Sequence, residues 1–124
     1  MQYLLGVDSV HTAAAICDYL GERTTAGDAV AAVAVAPPGD ATARRDTEEA
    51  LNVLGVRLTG VDTELRTGEP AAELLAAAAA VDADELVVGS RSGEPGAETG
   101  LGSTARRLLE RADRPVVVVP VPEF

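Results

Sequence analysis

Apolar runs and amphipathic stretches alternate along the whole chain. Tyr3-Leu4-Leu5-Gly6-Val7 is a nearly unbroken apolar run, as expected of a parallel strand covered on both faces. Ala13, Ile16, Cys17 and Leu20 then follow helical i, i+3, i+4, i+7 spacing, with Gly27 as the expected stop. Ala29 to Ala36 predicts a second strand, closed by Pro37-Pro38-Gly39. A second helix is predicted to start near Asp40 or Thr42, to bury Ala50, Leu51 and Leu54, and to close at Gly55 or Gly60. Val61, Thr63 and Leu65 alternate as in an edge strand. Pro70 sits where a third helix opens, with Ala71, Leu74, Leu75 and Ala78 as its apolar stripe and the alanines 76–80 allowing close approach to a sheet. Asp84 to Val88 predicts a fourth strand. A last helix would bury Ala105, Leu108, Leu109 and Ala112, and Pro115 to Val119 would form a fifth strand.

Strand–helix alternation of this kind requires right-handed crossovers. The expected fold is α/β: one Rossmann-like domain over residues 1–124, a five-stranded parallel sheet with helices on both faces. No repeat and no interdomain linker interrupts it. In such sheets ligands bind beyond the carboxyl ends of the strands, where the strand order reverses. Two segments end strands in that way. One is Val7-Asp8-Ser9, the other the glycine-rich stretch from Gly89 to Thr104.

The second segment links a buried strand to a helix start, the backbone arrangement that cradles phosphates. Gly102 would let the backbone approach an anion. Ser103 is a natural N-cap whose hydroxyl and N–H suit a phosphate equally well. Arg91 would pair with a phosphate, or with Glu94 or Glu98 nearby in sequence. Arg106 or Arg107 would reach back toward the loop. Asp8 suits a ribose hydroxyl or an adenine amino group, provided the first and fourth strands are neighbours; plain helix capping by Asp8 or Ser9 is the competing reading.

Composition narrows the function classes. The formal net charge is -10, and all ten basic residues are arginine. So acidic a chain lacks the footprint that nucleic acids or anionic membranes require. At 2% aromatic residues it offers no stacking platform for bases of a single strand. Lysine absence excludes a Walker-type phosphate loop. Together with the acidic excess, it is expected of a protein from a salt-rich cytoplasm, or of a high-GC genome that favours Arg and Ala. The single Cys17 excludes an internal disulfide and is expected in the core, and the single His11 argues against a histidine metal cluster. No apolar run approaches the ~20 residues of a membrane span. The start of the chain does not read as a secretory leader, so a cytoplasmic location is expected.

These residues carry a family resemblance over nearly the whole sequence. Val7-Asp8-Ser9, Thr67-Gly68-Glu69-Pro70, Val87-Val88-Gly89-Ser90-Arg91 and Pro115 to Val119 resemble successive motifs of the universal stress proteins. Nucleotide-binding members carry Gly-x2-Gly-x9-Gly-[Ser/Thr]. Gly89 opens that pattern here and Gly102-Ser103 closes it at the right spacing, while Ser92 replaces the middle glycine and Gly93 follows one place late. The resemblance implies an ATP site, with or without Mg²⁺. Asp8 and Val35 would contact adenosine and Val88 would flank the base. Gly89, Arg91, Ser92, Gly102, Ser103 and Thr104 would surround ribose and phosphates. It further implies a homodimer through Val116 to Val119, an apolar edge that invites pairing on its own account.

The expected function is therefore an ATP-binding stress or regulatory module that hydrolyses slowly at most. The alternative is a nucleotide-free dimeric scaffold that binds a protein partner. An α-hydrolase cleaving between α- and β-phosphates would need a Ser-Gly-Gly loop after the first strand, and Val7-Asp8-Ser9-Val10 lacks it. A receiver domain would need a lysine near the fifth strand.

Overall fold

The structure, a computed structural model, describes residues 1–91 and 100–122. Strands and helices alternate as β1 (Gln2–Val7), α1 (Val10–Gly21), β2 (Ala29–Ala36), α2 (Ala41–Arg57), β3 (Asp62–Thr67), α3 (Pro70–Ala80), β4 (Glu85–Gly89), α4 (Ser103–Arg111) and β5 (Val116–Val119). The five strands form one sheet in the order β3-β2-β1-β4-β5, and every pair is parallel. The chain builds outward from β1 to β3, then returns to the other side of β1 for β4. The strand order therefore reverses between β1 and β4.

Each strand of the centre faces two layers, which is why it reads as a continuous apolar run. Leu5 and Val87 point to α1 and α2, where Ile16, Cys17, Leu20 and Leu54 complete one core. Leu4, Val33, Leu86 and Val88 point to α3 and α4, against Ala71, Leu74, Ala78 and Leu108. Leu4 and Leu5 are 1% and 0% exposed, so the alternation of side chains buries both faces alike. Each such leucine contributes roughly 1.5–3 kcal/mol of burial. The small residues Ala77 and Ala78 bring α3 close to the sheet.

Several boundaries differ from the sequence expectation. α1 stops at Gly21, well before Gly27, because its C-cap amide at Glu22 bonds back to Leu20 and the next two amides also turn to that carbonyl. α2 runs through Gly55, a position with open space around it, and ends at Arg57; Gly60, at φ +74°, makes the turn that follows. Leu51 and Leu75 are half-buried at the margins of the two cores rather than fully inside. Leu109 is 52% exposed, contrary to expectation: α4 meets the sheet only along Ala105 and Leu108, near the β5 edge where no further strand underlies it.

Candidate functional site

The reversal between β1 and β4 opens a cleft at the carboxyl ends of the strands, of about 220 Å³. That is several times the roughly 30 Å³ share of one water, so it has room for an organic group rather than a lone ion. Its floor is apolar: Gly6 and Val7 of β1, Val35 of β2, Val88 of β4, and Pro70 and Leu74 of α3. Its polar wall carries Asp8, Thr12, Arg91, Ser103 and Thr104, with Gly89 and Gly102 between them.

Asp8 leaves β1 at the mouth and is exposed. The next residue, Ser9, is the N-cap of α1: its hydroxyl accepts from Thr12 N at 3.3 Å while Thr12 Oγ1 accepts from Ser9 N at 3.2 Å. Capping thus falls to Ser9, which leaves the Asp8 carboxylate at the cleft. Thr12 Oγ1 also accepts from Asp8 N at 3.2 Å and directs its proton toward Asp8 Oδ1 at 3.1 Å or Ser9 O at 2.9 Å. One buried hydroxyl therefore fixes both the backbone and the side chain of Asp8.

Opposite Asp8, α4 begins. Its N-cap is Gly102, with extended backbone (φ −67°, ψ 161°) and no side-chain cap hydrogen bond; Ser103, expected as the cap, is the first helical residue. α1, α2 and α3 are all capped by side chains, from Ser9, Asp40 and Glu69. The Gly102 amide donates to Ser90 O at 2.7 Å, which holds the helix start against the end of β4. The N–H groups of Ser103, Thr104 and Ala105 have no carbonyl partner inside the helix, as at any helix start, and all three residues line the cleft. A Cβ on Gly102 would meet Ser90 O and Arg91 Cα at 3.4 Å, close to ordinary contact, so packing alone does not demand glycine there.

Gly89 is glycine for a different reason. A Cβ would lie 2.9 Å from both Thr12 Cγ2 and Val121 Cγ2, so packing alone requires its absence. The Arg91 guanidinium donates from Nε to Gly100 O at 3.1 Å and from Nη1 to Val121 O at 2.6 Å. Arg106 does reach back, to Leu101 O at 3.2 Å. Arg107 instead turns to Glu69 at 3.3 Å, and Arg111 joins it at 3.8 Å, which ties α3 to α4 beside the cleft and balances the Glu69 charge.

The structure thus gathers Asp8, Val35, Val88, Gly89, Arg91, Gly102, Ser103 and Thr104 around one volume. Ser92, and with it Gly93, Glu94 and Glu98, lies outside the described residues. Sequence reasoning missed Gly6, Thr12, Pro70, Leu74 and Ala105. For Thr12 a signal existed: Ser9 and Thr12 have the spacing of a capping box. Among the described residues no group of His, Cys, Asp and Glu is arranged to hold a metal ion. No helix among them is long and apolar enough to cross a membrane.

Comparison with solved structures places this architecture among known ones. A universal stress protein solved in complex with cAMP is 25% identical, with a TM-score of 0.68 over 97% of this chain and 96% of that one. The universal stress protein from Archaeoglobus fulgidus is 22% identical (TM-score 0.69, covering 96% and 98%). A family member from Arabidopsis thaliana, solved with AMP bound, is 16% identical (TM-score 0.68, covering 98% and 92%). A comparison with curated protein sequences finds no relative. The model of the universal stress protein family matches residues 4–120. With that match over almost its full length, and the same sheet and helices, the chain belongs to the universal stress protein family.

Proposed function

We propose that the chain binds an adenine nucleotide, ATP in the first place, in the cleft between β1 and β4, and acts as a stress-response or regulatory module through its bound state. One observation carries this reading: the cleft sets an apolar floor, a fixed carboxylate and a helix start without a side-chain cap around a single volume. Val35 and Val88 suit the faces of a purine. Asp8, held by Thr12, suits the ribose hydroxyls or the adenine amino group. The amides and hydroxyls of Ser103 and Thr104, at the positive end of α4, suit phosphate oxygens. Relatives solved with cAMP and with AMP support the same ligand class.

The same reading takes the protein as a binder rather than an enzyme. Among the described residues that line the cleft, Asp8 is the one carboxylate, and no histidine, lysine or cysteine accompanies it as a general base. It also takes the protein as a cytoplasmic homodimer joined through β5, working in high salt. Leu86 N donates to Pro115 O and Ser90 N to Val119 O. By the alternation of a parallel ladder, the Val116 and Val118 amides then face away from β4, at a free sheet edge.

Acid extraction of the purified protein tests the reading. Release of an adenine nucleotide in near-stoichiometric amount is expected. A stable dimer that releases none, and takes none up at millimolar concentration, would replace this function with the nucleotide-free scaffold.

A further inference from the structure

Three consecutive residues at the end of β4 grip one residue of the C-terminal segment. Gly89 lacks the Cβ that would collide with Val121 Cγ2 at 2.9 Å. Ser90 Oγ accepts from Val121 N at 3.0 Å. Arg91 Nη1 donates to Val121 O at 2.6 Å. Val121 itself is 2% exposed. The same arginine reaches across to Gly100 O with Nε, and Gly100 holds φ +97°, a conformation that favours glycine. Ser90 O in turn accepts from the Gly102 amide. The start of α4, the end of β4 and the C-terminal segment are therefore tied at one point, and Arg91 is the side chain that joins all three.

An arginine is suited to this position because its planar fork presents separate donors to two carbonyls at fixed angles. Two of its five N–H groups are thereby committed to carbonyls, one of them on a buried residue, and swinging the guanidinium away from that place would break both bonds. We propose that Arg91 is a positioning residue of the nucleotide cleft: it sets the place of Gly102 and the α4 start by anchoring them to Val121, and its charge is not what holds the phosphates. This rests on the nucleotide reading given above and departs from the direct phosphate contact expected of Arg91.

The two roles make different demands on a ligand series. A charge contact weakens binding in proportion to phosphate charge, whereas a misplaced wall weakens every ligand of the cleft. The test is calorimetric titration of adenosine, AMP and ATP into the wild type, Arg91→Met and Ser90→Ala. Ser90 is chosen because its hydroxyl holds Val121 without lining the cleft. Arg91→Met is expected to weaken all three ligands by a similar factor, on the order of tenfold. Ser90→Ala is expected to weaken all three by a smaller common factor, and the two changes together by less than the product of their separate effects.

Amide exchange at Val121, read without any ligand, is expected to speed up in both variants. Should Arg91→Met fail to fold, Ser90→Ala carries the test by itself. A loss confined to ATP and AMP with adenosine unchanged, or a Ser90→Ala protein that binds and exchanges like the wild type, overturns the proposal. A wild type that binds none of the three overturns it together with the nucleotide reading, and is distinguishable because the variants then play no part.

Discussion

Gly6 and Val88 stand side by side in the pairing of β1 with β4, and a Cβ on Gly6 would lie 3.0 Å from Val88 Cγ1 and 2.8 Å from Leu74 Cδ1. The glycine therefore keeps the cleft floor low at the point where the strand order reverses. Gly6→Val is expected to destabilise the protein by about 1–3 kcal/mol through overpacking. It should also weaken adenosine binding, because the displaced Leu74 and Val88 are themselves lining residues. Denaturant unfolding and adenosine titration check both. A Gly6→Val protein that keeps wild-type affinity would show that the base does not rest on this floor.

Thr12 acts on the ligand through Asp8. Thr12→Val keeps the shape and removes the hydroxyl that accepts from Asp8 N and Ser9 N. The expected stability cost is about 1–3 kcal/mol, from the hydrogen bonds lost at a buried site. Adenosine affinity should fall for Thr12→Val and for Asp8→Asn, and less than additively when the two are combined. Full additivity would mean that the hydroxyl does not position the carboxylate.

Cys17 gives an alkaline signature. Burial raises its thiol pKa above the ordinary value, because the thiolate is disfavoured in the core. The sign follows directly. The folded state holds the proton more tightly than the unfolded one, so this contribution is complete below the unfolded thiol pKa and is lost as pH rises through the folded one. Stability should decline above about pH 8.5, the usual thiol value, and less steeply in Cys17→Ala. A thiol reagent should label Cys17 only at the rate of unfolding. Fast labelling of the native protein would contradict its place between α1 and the sheet.

The β5 edge predicts an assembly. Val118→Pro removes an outward-facing amide while leaving the amides that pair with β4, as proline is tolerated only at such edges. Sedimentation should show a wild-type dimer and a Val118→Pro monomer. A dimer that survives the substitution would put the interface elsewhere.

Much of this architecture is legible in the sequence because its causes are local. The run Ala29–Ala36 sets β2 to the residue, and Pro70 opens α3, because strand burial and a fixed proline φ act within a few positions. Asp8 and Gly102 are legible for the same reason: each ends one element or begins the next. What was missed depends on residues remote in the chain. Leu74 joins the cleft only once α3 packs across β1 and β2. Gly89 reads as a place for an anion to approach, yet its glycine is required by Thr12 and Val121, which the sequence does not bring together. Arg91 reads as a charge for a phosphate, and only the fold reveals the two carbonyls that engage it. Leu109 fits the helical stripe by spacing, but the sheet ends before reaching it.

The central claim is that the start of α4 faces a nucleotide across the cleft from Asp8, and Gly102→Val tests it most directly. A Cβ there meets its nearest neighbours at 3.4 Å, a contact the fold accepts, and an unchanged unfolding midpoint is the control for the two further carbons of valine. The measurement is calorimetric titration of ATP with Mg²⁺, in about 1 M salt, where the Debye length falls to roughly 3 Å and the acidic surface no longer repels the ligand. Saturable heat in the wild type, and none in a Gly102→Val protein of unchanged unfolding midpoint, is the predicted result. No heat in the wild type at millimolar ATP, or equal binding by both proteins, would contradict it.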